Sequence, residues 1–131
     1  MTQPRLFGLG SIALAGLLGG PLAVGYLAIT NARVRASLVH LRIVAVFFSL
    51  ATALWIYTLR HVPPDVISQF VTHALQVFPW WLFCFVLFRR AHAEHARSGG
   101  EFRSAWVAAG IALLISVGVR VVGFCVHLLA A

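Results

Sequence analysis

The sequence contains no lysine and only three carboxylates, Asp65, Glu94 and Glu101, in 131 residues. Charged residues amount to 10% of the chain, where a soluble domain carries about a quarter. So little charge cannot cover a water-exposed surface, which excludes an ordinary soluble fold. The same scarcity leaves acid–base catalysis almost without groups, and no serine or cysteine has a base beside it in sequence. His92 and His95 in RRAHAEHARS stand three residues apart, whereas zinc-peptidase patterns place histidines four apart with a glutamate as base. That segment reads as a solvated helix end, partly self-paired through Arg90 and Glu94 at four-residue spacing. Cysteine is rare too. Cys84 and Cys125 fall in apolar stretches expected in opposite leaflets, which argues for two buried, reduced thiols rather than a disulfide. No catalytic, cofactor-binding or metal-ligating residues are assigned, and no cofactor is expected.

What the chain has in abundance is hydrophobic length, with 61% apolar residues. Four runs stand out, at about 6–29, 43–59, 66–88 and 104–130. A helix of about 20 residues crosses roughly 30 Å of hydrocarbon. Inside lipid every backbone amide needs an internal partner, so such runs must be helical. The expected fold is an all-α membrane protein, with residues 1–131 forming a single bundle of four transmembrane helices. The apolar run at the start continues well past its ALA triplet, so it reads as a span rather than a cleaved signal peptide.

The net charge of +7 comes from ten arginines. Nine of them flank the apolar runs, where arginine meets lipid headgroups and sets orientation; nucleic acid is not the expected partner. Arg33, Arg35 and Arg42 follow the first run, and Arg89, Arg90, Arg97 and Arg103 follow the third. Only Arg5 and Arg60 lie on the other side. Seven against two predicts cytoplasmic basic segments, with both termini and the RHVPPD turn outside.

The first run is rich in small residues. Gly16 and Gly20 form a G-x-x-x-G pair, and Ser11, Ala15 and Gly19 form a second ladder at four-residue spacing. Small residues let membrane helices approach closely, so this helix is expected to mediate packing with lipid-embedded neighbours: a homo-oligomer or a membrane-protein partner. Pro21 removes a backbone donor, which predicts a kink at Gly19-Gly20-Pro21. The stretch GGPLAVGYLAITN, from Gly19 to Asn31, resembles the N-terminal signature of a group of uncharacterised small bacterial inner-membrane proteins with four helices. In that group a GGPLA-x-G-Y helix ends at an asparagine. His95, Gly99, Gly100, Ser104 and Trp106 in HARSGGEFRSAW resemble the last cytoplasmic loop of the group. The resemblance covers two short blocks. It implies a multi-pass protein of the bacterial inner membrane and carries no activity with it.

The fourth run is interrupted by Arg120, with eleven further residues after it. An arginine at mid-membrane costs at least about 2.5 kcal/mol, falling toward the interface. Three readings compete: Arg120 reaches outer headgroups, docks on Asp65, or lines a polar cavity that binds an anion. Ser116 and His127 share its helical stripe, and His73 and Gln76 lie one turn apart on the third helix. Hydrogen bonding between helices is the default role for all of them. The sequence thus points to a non-enzymatic accessory, assembly or regulatory component of a membrane. The alternative is a small homo-oligomeric transporter or channel that uses Arg120.

Overall fold

The computed structural model describes residues 5–35, 37–61 and 65–130, with backbone alone at 59, 66, 69, 127 and 130. Four helices form: α1 (Leu9–Val34), α2 (Leu38–His61), α3 (Val66–Arg97) and α4 (Ala105–Ala130). By length and composition each is apolar enough to cross a membrane, and they pack together. Two short strands, β1 (Leu6–Phe7) and β2 (Phe102–Arg103), pair in parallel. Leu6 and Phe7 therefore belong to a strand rather than to the first helix. The third helix continues past the apolar run into RRAHAEHAR, because alanine, arginine and glutamate favour helix once the chain has left the hydrocarbon. The turn between α2 and α3 falls largely on residues 62–64, outside the described residues.

The break expected in α1 is a reversal. Gly20 has φ 68° and ψ −160°, a backbone region that is essentially reserved for glycine. Pro21 then supplies the fixed φ and the missing donor that suit the first position of a new helix. Two observations show that the two arms run side by side. The Phe7 N–H donates to Asn31 Oδ1 at 2.8 Å, although 24 residues separate them. A straight helix would hold those residues about 36 Å apart. A Cβ built on Gly16 would lie 2.9 Å from Val24 Cγ2, whereas eight residues span about 12 Å along one helix. The arms, 9–19 and 21–34, are about 16 and 21 Å long by helical rise.

This hairpin is the core of the molecule. In α1's most apolar window 61% of residues are buried, against 11% in α4, so α2, α3 and α4 stand around α1. The small residues make that packing work. A Cβ on Gly19 would sit 2.6 Å from the Ala112 carbonyl oxygen, and one on Gly25 would sit 3.0 Å from Phe48 Cβ. Gly16, Gly19, Gly20 and Pro21 are thus packed within the chain. The small-residue ladders, expected to meet lipid-embedded neighbours, are covered by this chain's own helices.

The same geometry corrects the expected topology. Arg5 forms an ion pair with Glu101, and Leu6 and Phe7 pair with Phe102 and Arg103. Residues 5–7 therefore lie at the same end as both basic segments. That end carries Arg5, Arg33, Arg35, Arg42, Arg89, Arg90, Arg97 and Arg103, and the opposite end carries Arg60. The first arm of α1 begins at this basic end and the second arm finishes there. The C-terminal end of α4 lies at the other, because α4 starts beside β2.

Candidate functional site

The polar residues singled out in the sequence do not converge. Arg120 sits 15 residues into α4, about 22 Å from its start. It is exposed on the chain and makes no ion pair or hydrogen bond among the described residues. Asp65 serves α3 instead: its carboxylate accepts the Ser68 backbone N–H at 2.8 Å. That bond holds the Asp65 carboxyl below the usual carboxylate range. Ser116 is half-buried on α4, and the His127 side chain lies outside the described residues.

His73 and Gln76 have structural partners. The His73 Nε2–H points at the carbonyls of Gly16 (3.0 Å) and Leu17 (3.2 Å), the last turn of α1's first arm. A helix end leaves carbonyls without intrahelical donors, and in lipid each such orphan is costly. His73 answers that need at the hairpin tip, with Trp55 packed beside Gly20. Gln76 Nε2 donates to Thr58 Oγ1 at 3.0 Å and so ties α3 to α2. Its Oε1 is buried and has no partner among the described residues.

The strongest polar constellation is one the sequence did not expose. At the basic end, buried Asn31 closes both backbone bonds of Phe7: Oδ1 accepts its N–H, and Nδ2 donates to its carbonyl at 2.9 Å. The side chain acts as a neighbouring strand would. His92, also buried, directs Nε2 at the same Phe7 carbonyl (2.8 Å) and Nδ1 at the Phe88 carbonyl (2.9 Å). A neutral imidazole donates to one of these and only the imidazolium to both. Phe102 stacks on His92 with ring centroids 5.6 Å apart, and the Arg103 guanidinium lies 5.0 Å from the Phe7 ring centroid. Three distant segments are locked together: the start of the chain, the end of α1 and the end of α3. The reading of His92 as part of a solvated helix end is thereby corrected. Glu94 pairs with Arg35 of the segment after α1, at 3.3 Å, rather than with Arg90.

Of the two thiols, Cys84 is buried in the core and Cys125 is exposed on α4, in contrast to the expectation that both are enclosed. No group of histidine, cysteine and carboxylate side chains suited to a metal occurs among the described residues. Comparison with family models, curated proteins and solved structures gives no match.

Proposed function

We propose that this chain is a non-catalytic multi-pass component of a bacterial inner membrane. In this reading it is an accessory or regulatory subunit that keeps its basic end in the cytoplasm and presents the second half of α4 to another membrane helix. The eight arginines at the basic end against Arg60 at the other support that orientation. The resemblance of Gly19–Asn31 to small inner-membrane proteins supports the location.

One observation carries the interface. The first half of α4 is packed, with Ala108 and Ala112 fully buried against the hairpin. From Leu113 onward no described α4 side chain is buried, and glycines 118 and 123 have open space around them. Arg120 lies within this uncovered half. Intramembrane arginines face a protein interior, pair or reach for headgroups, and a second helix with a polar acceptor at that depth satisfies the first two together. The test is to solubilise the protein from its membrane in mild detergent and measure the protein mass per particle. More than one chain is expected, falling to one in Arg120→Leu; a wild type that is always a single chain overturns the reading.

The folded α1 favours a second reading. Transporters place the ends of broken helices at their substrate sites, and α1 breaks at Gly20 within the bundle. A carrier or channel would then employ Arg120 in the half beyond the break. Vesicles containing the purified chain would pass chloride faster than empty vesicles, with Arg120→Leu at the empty-vesicle rate. Equal rates for wild type and variant end this alternative.

A further inference from the structure

We infer that the basic end carries a binding site for a phosphate group, seated between the end of α1, the start of α2 and the last turns of α3. A cavity of about 330 Å³ opens there, at the lower end of the ~300–1,000 Å³ usual for small-ligand sites. Its polar lining is Arg35, Ser37, His40, Arg90 and Glu94. Leu87, Phe88 and Ala91 add an apolar wall.

The charge balance selects an anion. Two arginines and one carboxylate line the cavity, and among the described residues that carboxylate pairs with Arg35 alone, at 3.3 Å. Arg90 has neither an ion pair nor a hydrogen bond among the described residues. Ser37 stands at the start of α2, where its hydroxyl accepts the His40 backbone N–H at 3.3 Å and also meets His40 Nδ1. A helix N-terminus adds partial positive charge to the same opening. Arginine forks from two different elements suit the several oxygens of a phosphate better than the two of a carboxylate.

Position narrows the source. Arg33, Arg42 and Arg89 belong to the same end of the bundle, where the spans leave the hydrocarbon. Basic pockets between membrane helices at that level take phospholipid headgroups, and the apolar wall gives the upper acyl chain a surface to lie on. A free phosphate offers the same oxygens without that apolar contact. The site lies at the opposite end from the uncovered half of α4, and it stands whatever that half contacts.

The test is native mass spectrometry of the full chain in a neutral detergent, titrated with dioleoylphosphatidylglycerol, dioleoylphosphatidylcholine or inorganic phosphate. One equivalent of phosphatidylglycerol is expected to bind more tightly than phosphatidylcholine. Arg35→Gln and Arg90→Gln should each weaken it roughly fivefold, while Arg97→Gln, outside the cavity, leaves it unchanged. Glu94→Gln should tighten binding, because it frees Arg35; loss of folding cannot produce that direction. Retention of phosphatidylglycerol against millimolar phosphate assigns the site to lipid, and displacement assigns it to the free anion. Both support a phosphate site. Equal affinity in the Arg35→Gln/Arg90→Gln double variant, or a matching loss in Arg97→Gln, overturns it.

Discussion

The two ends of this molecule are built on opposite principles. In the half toward the basic end, three helices enclose the α1 hairpin, and side chains of Asn31 and His92 complete the backbone of Phe7. Beyond the tip at Gly20, α4 continues as an unenclosed helix that carries Arg120. A bundle of straight spans would show similar packing along its length. Here one span stops short, so the remaining helices lose their central neighbour partway through. The half with a core has buried polar bonds that fix it, and the half without one has a cation with no partner among the described residues.

The contrast predicts where substitutions act. The largest effect belongs to Asn31→Leu, which removes two buried hydrogen bonds and leaves the Phe7 N–H without an acceptor. A loss of about 2–4 kcal/mol in detergent unfolding is expected, with residues 5–7 becoming open to protease. Unchanged stability would mean that the clamp contributes little. Gly20→Ala forces a β-carbon into a left-handed backbone beside Trp55 and His73, and should cost about 1–3 kcal/mol. Full wild-type stability in that variant would argue against the reversal at this residue.

His73→Leu comes next. It strips the hairpin tip of the donor to Gly16 and Leu17 carbonyls, for an expected loss of about 0.6–1.7 kcal/mol. Arg120→Leu should change the stability of the single chain by less than about 0.5 kcal/mol, because nothing in the described chain depends on it. A large loss there would show that the opposite half is closed after all. The smallest effect is a matter of pH. The Asp65 carboxyl is held below its ordinary range by Ser68, so its contribution is present above about pH 4 and fades as pH falls through the lowered value. Asp65→Asn keeps an acceptor for Ser68 but does not titrate, and should flatten the acid limb of Tm against pH slightly.

Much of this architecture was legible in the residues. Charge-free runs bounded by charged residues marked four helices, and the arginine bias grouped seven arginines at one end but set Arg5 at the other. GGP at 19–21 carries a helix stop and a helix start in consecutive residues: glycine suits the terminating backbone and proline the first position of the next helix. Either a kink or a reversal satisfies that local rule. Only long-range bonds, from Phe7 to Asn31 and from His73 to the tip, decide between them, and such pairings leave no periodicity. Asn31 looked like a mere helix end for the same reason. With β1 unrecognised, since two residues cannot show alternation, nothing called for its partner. In sequence Arg35 and Arg90 are span-flanking arginines, and their meeting around one cavity depends on how α1, α2 and α3 converge.

Everything in this fold depends on α1 turning back, which places residues 5–7 beside the basic segments. In a background of Cys84→Ala and Cys125→Ala, single cysteines at Arg5→Cys, Arg97→Cys and His61→Cys can be labelled with a membrane-impermeant maleimide in sealed vesicles of one orientation. Positions 5 and 97 are predicted to react from one side and position 61 from the other. If position 5 reacts from the same side as 61, α1 crosses the membrane and the account is wrong.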